Sequence, residues 1–184
     1  MKLLHIDSSS AIQESVTRKL SSEIVKKLNE KGEYTISYID LDKEAIPHLS
    51  LRKEYNEHSN LDEKLLNQFL ENDTIVLGVP MYNLGIPSSL KSWIDRIVVP
   101  GVTLHHENNV PVGLIKNKKM YLALASGGIY GDNDPREHQE SYLKSLFYFL
   151  GISDINTIRA DGMSLPHYRH DSIKEALEEI TKIT

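Results

Sequence analysis

Three short stretches bring together residues able to hold a ligand. The first is residues 8–17, Ser8-Ser9-Ser10-Ala11-Ile12-Gln13-Glu14-Ser15-Val16-Thr17. Ser9, Ser15 and Thr17 supply hydroxyl donors, and Ser15 fits the N-cap of a following helix. A helix N-terminus presents unpaired N–H groups and a favourable dipole, which suits a phosphate. The stretch is not a Walker loop, since it lacks the glycines and the Gly-Lys-Ser/Thr ending, and it is no G-x-G-x-x-G loop. Simple capping of a helix accounts for the same residues. The second stretch is Pro80-Met81-Tyr82-Asn83-Leu84-Gly85. Met81, Tyr82 and Leu84 can cover a flat ring, and Asn83 can donate and accept hydrogen bonds. Turn formation and packing explain these residues too. The third is Ala125-Ser126-Gly127-Gly128. Adjacent glycines let a ligand approach the backbone closely and donate their N–H groups to it, though a tight turn also uses glycine. Each stretch alone is weak. Together they supply phosphate donors, a ring platform and a close-approach loop.

The elements that position these stretches follow from hydrophobic periodicity. Residues 2–7 read as a first strand. Val16, Leu20, Ile24 and Leu28 then form a helical stripe, with Arg18, Lys19, Lys26 and Lys27 off it and Gly32 as the stop. Residues 34–40 read as a strand near a sheet edge. Residues 40–60 are the least regular and the candidate mobile segment. Residues 61–71 form a helix that delivers the chain to residues 74–79, an apolar run that reads as a strand buried on both faces. Ser88 offers a cap, and Leu90, Trp93, Ile94 and Ile97 follow at helical spacing. After Pro100-Gly101, residues 102–115 read as a hairpin excursion with Asn108-Asn109 between short apolar pieces. Residues 120–125 are a fourth buried strand, 136–150 a helix stopped by Gly151, 155–160 the last strand and 172–183 a closing helix. Strand and helix alternate five times, which predicts a single α/β domain over residues 1–184, a doubly wound parallel sheet with right-handed crossovers. With strand order 2-1-3-4-5, the three candidate stretches meet at one edge, beside the switch point where such sheets bind ligands.

Composition excludes several function classes. The 184 residues carry a net charge of -5, which argues against nucleic acid or an anionic membrane as the main partner. There is no cysteine. Disulfides, thiolate metal sites and a redox dithiol are therefore absent, and redox chemistry would come from a bound cofactor. No apolar run approaches the ~20 residues of a membrane span, and MKLLHIDSSS is too short in its apolar part for a signal peptide. A cytoplasmic protein is the expectation.

At these residues the sequence resembles the FMN-dependent NADH azoreductases, within the flavodoxin-like NAD(P)H:quinone oxidoreductases. The most specific match is Pro80-Met81-Tyr82-Asn83 with Ser89-Leu90-Lys91 and Asp95 downstream. Gly101-Val102-Thr103, Gly113-Leu114, Gly127-Gly128-Ile129 and Leu150-Gly151-Ile152 agree in order and spacing over nearly the whole chain. The resemblance implies bound FMN, with NADH or NADPH as co-substrate and quinones or azo compounds as acceptors, reduced by two-electron ping-pong transfer. It implies that Ser9, Ser15, Val16 and Thr17 hold the phosphate side. Pro80, Met81, Tyr82, Asn83 and Leu84 would lie along the isoalloxazine ring, and Ala125, Ser126, Gly127 and Gly128 near its pyrimidine edge. It also implies a homodimer. Chemistry would reside on FMN, with no catalytic side chain. The family often has Ser-Arg where this chain has Ala125-Ser126, an aromatic at Leu84 and Leu104, and a tyrosine at His106. Leu104 and His106 are accordingly expected in the substrate pocket.

Rival readings are weaker. A flavodoxin-type FMN electron carrier shares the sheet edge but not the excursion at residues 102–115. A phospho-receiver needs an acidic cluster and an Asp where Pro80-Met81 stands. A Ser hydrolase needs G-x-S-x-G, which does not occur. Among eight histidines, His105-His106 is the densest pair, but neighbours on a strand point to opposite faces. His167 and His170 fall in an expected loop. No metal is expected. Lys116, Lys118 and Lys119 read as a solvated lead-in to the fourth strand.

Overall fold

A computed structural model describes residues 1–50, 59–131 and 134–183. Twelve elements are described there: β1 (Lys2–Asp7), α1 (Val16–Lys31), β2 (Thr35–Asp40), α2 (Ser59–Glu71), β3 (Thr74–Pro80), α3 (Ser88–Ile97), β4 (Leu104–Glu107), β5 (Val110–Gly113), β6 (Lys119–Ala125), α4 (Glu140–Leu150), β7 (Asp154–Ala160) and α5 (Pro166–Thr181). The main sheet has the order β2-β1-β3-β6-β7, all neighbours parallel. This is the expected 2-1-3-4-5 sheet, with β6 and β7 as its fourth and fifth strands. β4 and β5 form the antiparallel excursion after α3. Its two-residue turn uses Asn108 and Asn109 at φ 50° and 63°, the left-handed pair that matches strand twist. No helix of the described residues is long and apolar enough to cross a membrane.

Alternate residues of the central strands feed two cores. Leu4, Ile6, Ile75, Leu77, Leu122 and Leu124 pack on one face with Phe69, Trp93 and Phe147. Leu3, Val76, Tyr121 and Ala123 pack on the other with Leu20, Ile24 and Ile180. Each such large side chain contributes roughly 1.5–3 kcal/mol of transfer free energy. The excursion is pinned where Gly113 passes α4: a Cβ there would fall 2.1 Å from the Leu150 carbonyl carbon. Gly151, at φ 97°, ends α4 in the left-handed conformation.

Several local expectations shift. α1 stops at Gly32, yet Gly32 is extended rather than left-handed. Ser88 is the first residue of α3 and makes no capping bond; Pro87 holds the N-cap position. α4 begins at Glu140 instead of residue 136, because the Glu137 carboxylate caps it, accepting from the N–H groups of Gln139, Glu140 and Ser141. α5 begins at Pro166, six residues earlier than expected, so His167 and His170 lie on its first turns rather than in a loop. A proline fits there because the first N–H of a helix has no partner to lose. Lys118 is not solvated. It is 8% exposed, and its Nζ donates to the carbonyls of Asn72 and Leu70 at the end of α2. Of the irregular stretch 40–60, residues 51–58 lie outside the described residues. Before them, Lys43 and Glu44 donate backbone N–H groups to the Asp40 carbonyl in a turn.

Candidate functional site

At the carboxyl edge of the sheet a cleft of about 280 Å³ opens between β1, β3 and β6. Three of its walls are the loops predicted from sequence. Ser9, Ala11, Glu14, Ser15, Val16 and Thr17 come from the β1–α1 loop and the start of α1. Pro80 ends β3 and leads to Met81 and Tyr82, and Ala125 ends β6 and leads to Ser126 and Gly127. The register explains the convergence. Pro80 pairs with Ala125, and the Met81 N–H donates to the Ala125 carbonyl at 2.8 Å, so the second and third loops leave the sheet together.

The start of α1 is built to receive an acceptor. Ser15 caps it, its Oγ accepting from the Arg18 N–H at 3.3 Å and lying 3.0 Å from the Thr17 hydroxyl. The N–H groups of Val16 and Thr17 have no acceptor among the described residues, as the geometry of a helix start dictates. Across the cleft the Tyr82 hydroxyl lies 2.9 Å from Ser10 Oγ and accepts from the Ser10 N–H at 3.1 Å. Burial pushes the Tyr82 phenol up, but the bonds from Ser10 and Ser9 outweigh it and leave the group below its ordinary value. Tyr82 and Gly85 exchange two backbone bonds around Asn83 and Leu84, at φ 49° and 68°. A left-handed leucine is disfavoured by roughly 1–2 kcal/mol, so this tight turn is held against its own preference.

Beneath the hydroxyl loop lies a buried polar frame. Arg18 reaches inward, donating to both Asp40 oxygens at 2.7 and 2.8 Å and to the Ser9 carbonyl at 2.6 Å. Asp7 accepts from Ser21 at 2.8 Å and from Tyr38 at 3.1 Å, and His5 Nε2 lies 2.9 Å from Ser21. His5, Ser21 and Asp7 are all buried, which makes this Ser-His-Asp grouping part of the frame instead of a nucleophile. The bond from Arg18 outweighs burial and holds the Asp40 carboxyl down at about 2. Burial, with the Asp7 carboxylate next, pushes the Tyr38 phenol up to about 12. Gly78 lets α1 pack this close: a Cβ there would stand 2.6 Å from Asp7 Oδ1 and 3.2 Å from the Thr17 carbonyl.

The glycine loop is stitched to the β7–α5 connection. The N–H groups of Gly162, Met163 and Ser164 donate to the carbonyls of Gly128, Ser126 and Gly127 at 2.8, 2.9 and 3.0 Å. That connection, with the start of α5, supplies a fourth wall, Met163 and Ser164 from the first and Arg169 from the second, which the sequence reading missed. Of the expected residues, Asn83, Leu84 and Gly128 stand beside the cleft rather than in its lining. Leu104 is 4% exposed in the main core, and His106 is exposed on the excursion; neither lines the cleft. Among the described residues no three His, Cys, Asp or Glu side chains cluster as metal ligands would.

The family described as a flavodoxin-like fold, Flavodoxin_2, matches residues 1–183. An FMN-dependent NADH:quinone oxidoreductase 1 of Idiomarina loihiensis is 42% identical over 186 residues, covering 100% of both chains. One of Xanthomonas euvesicatoria pv. vesicatoria is 44% identical, covering 96% of this chain and 93% of its own. Among solved structures, an azoreductase from Bacillus anthracis str. Sterne superposes with a TM-score of 0.89 at 30% identity, over 98% of this chain and 97% of the other. An FMN-dependent NADH-azoreductase of Bacillus anthracis str. Ames Ancestor, solved in complex with FMN, superposes with a TM-score of 0.84 at 27% identity, each chain covered to 98%.

Proposed function

The chain belongs to the flavodoxin-like family of FMN-dependent NADH:quinone oxidoreductases and azoreductases, and from that premise we propose that it binds FMN in the carboxyl-edge cleft and reduces quinones and azo compounds with NADH or NADPH. The observation that carries the reading is the meeting of a donor-rich helix start, an apolar turn and a glycine loop around one cleft. The residues fit an FMN. The unpartnered N–H groups of Val16 and Thr17, with the Ser9, Ser15 and Thr17 hydroxyls, form a donor set suited to a phosphate. Glu14 is the only carboxylate among the lining residues, and it is exposed.

FMN held by the start of α1, residues 80–82 and the glycine loop would supply the redox chemistry, hydride acceptance from a nicotinamide and two-electron delivery to an acceptor. The chain's own residues bind and orient. The start of α1 holds the phosphate end. Pro80, Met81 and Tyr82 form the ring wall, with Asn83 and Leu84 on the adjoining turn. Ala125, Ser126, Gly127 and Gly128 form the opposite edge, where the backbone N–H groups of Gly127 and Gly128 would donate toward developing negative charge, that of Ser126 being taken by the Ala160 carbonyl. No side chain is assigned as a general acid. The frame of Arg18, Asp40, Asp7 and Tyr38 keeps the hydroxyl loop in place without touching the ligand.

We take the chain to be one domain over residues 1–184, cytoplasmic, and homodimeric, with Leu104 and His106 influencing the acceptor pocket from the excursion. Leu104 would do so by packing. The identity to named oxidoreductases favours an enzyme over a flavodoxin-type carrier. Stopped-flow mixing of the FMN-loaded protein with NADH, acceptor absent, tests the reaction order. Bleaching of the flavin supports ping-pong transfer; a strict requirement for a ternary complex refutes it.

A further inference from the structure

Ser126 has more acceptors than hydrogens. Its Oγ lies 2.6 Å from Asp161 Oδ1 and 2.7 Å from the Gly128 carbonyl, and the residue is 2% exposed. A hydroxyl carries one hydrogen. If that hydrogen goes to Asp161, the Gly128 carbonyl faces a bare hydroxyl oxygen at 2.7 Å. If it goes to Gly128, an ionised Asp161 faces one at 2.6 Å. A second proton resolves the contact, and only the carboxyl group is able to carry it.

The charges around Asp161 agree. Arg159 faces three carboxylates: Glu137 at 3.1 Å, Glu140 at 3.4 Å and Asp161 at 3.7 Å. Lys144 takes up Glu140 at 2.6 Å, which leaves Arg159 between Glu137 and Asp161, and Asp161 is the farther of the two. Glu137 is further secured by the backbone N–H groups of Gln139, Glu140 and Ser141 at the start of α4, which with Arg159 outweigh burial and keep it below the usual range. Burial pushes the Asp161 carboxyl up, against Ser126 and Arg159, while Glu140 and Glu137 add to the rise. From α5, Arg169 is turned to the Met163 carbonyl. The Tyr130 hydroxyl stands near Gly128, 3.0 Å from where a Cβ would be.

We propose that Asp161 is held as a neutral carboxylic acid and, by donating to Ser126, directs the Ser126 hydrogen onto the Gly128 carbonyl, fixing the glycine loop for the ligand's electron-rich edge. Asp161 is thus a positioning residue. Its ionisation turns the Ser126 hydrogen back to the carboxylate, leaves the Gly128 carbonyl with the Gly162 N–H as its one donor, and puts a negative charge behind the loop. The role in ligand binding rests on the FMN reading; the proton on Asp161 does not.

The test uses the full chain with carboxyl-labelled aspartate, its carbon resonances followed against pH with and without FMN. The Asp161 signal, assigned by its loss in Asp161→Asn, is expected to titrate above the ordinary aspartate range in the ligand-free chain. FMN is expected to raise that titration by about one unit, and by reciprocity FMN affinity falls about tenfold as pH rises through it. Asp161→Asn, which still donates to Ser126, binds FMN as the low-pH wild type does and lacks that fall, whereas Asp161→Ala binds more weakly at every pH. An Asp161 that titrates at or below the ordinary range overturns the proposal. So does an affinity fall of the same size in wild type and Asp161→Asn. If the chain binds no FMN at all, the function fails separately and the ligand-free titration still decides the protonation.

Discussion

Replacing Arg18 by methionine perturbs the frame under the hydroxyl loop. The Arg18 side chain is 13% exposed and that of Asp40 4%. R18M therefore leaves the buried Asp40 carboxylate with the Asp42 N–H and the more distant Lys43 at 3.6 Å, and frees the Ser9 carbonyl that Arg18 holds at 2.6 Å. Lowering Asp40 from 3.8 to about 2 corresponds to roughly 2.4 kcal/mol at about 1.36 kcal/mol per unit. Breaking one side of a buried pair typically costs about 3–5 kcal/mol. Urea unfolding of the FMN-free protein at neutral pH is expected to show a loss of about 3 kcal/mol for R18M. The double variant R18M/D40N should lose about 2 kcal/mol less than the two single losses summed, because the neutral amide no longer needs the cation. The pH dependence has a definite sign. A depressed carboxyl contributes stability that is present above its unfolded value near 3.8 and is lost as pH falls through about 2. Wild type therefore loses this contribution between about pH 4 and pH 2, and R18M lacks that part of the slope. With Ser9 freed, FMN affinity should fall about tenfold, the worth of one charge-assisted hydrogen bond, while riboflavin affinity moves less. Single losses that add to within about 0.5 kcal/mol in the double variant refute the coupling.

Three further outcomes are expected. Ser15→Ala removes the α1 cap and should cost about 1 kcal/mol in urea unfolding, with a larger loss of affinity for FMN than for riboflavin, which lacks the phosphate. Gly113→Ala places a Cβ 2.1–2.4 Å from backbone atoms of Leu150 and Gly151, and should cost about 1–3 kcal/mol by forcing the excursion away from α4. Light scattering after size exclusion should give twice the 20.9 kDa chain mass; a monomer at micromolar concentration contradicts the proposed homodimer.

The sheet was legible because buried parallel strands are written as apolar runs. Ile75, Val76, Leu77 and Val79 are all fully buried, as that run predicts. Ser15 as a cap and Asn108-Asn109 as a turn were equally readable, since each residue type carries its own backbone preference. What escaped depends on long side chains and tertiary partners. Arg18 falls off the apolar stripe of α1, yet its chain length lets it turn in to Asp40 and Ser9. Lys118 sits in a basic run, yet the carbonyls ending α2 draw it inside. Glu137 shortens α4 by capping it from just ahead, a geometry that spacing alone does not reveal. For α5, Pro166 was a usable start signal. Met163 and Ser164 carried none, because they reach the cleft through backbone bonds to the glycine loop, and Arg169 on α5 is turned there by its bond to the Met163 carbonyl.

The central claim is that the carboxyl-edge cleft holds FMN and exchanges its electrons with a nicotinamide. Anaerobic spectrophotometric titration of the flavin-free protein with FMN, followed by NADH, tests it most directly. Saturation at one FMN per chain and bleaching of the bound flavin on adding NADH are predicted. A protein that leaves FMN free in solution, or binds it and is not reduced by NADH or NADPH, contradicts the account.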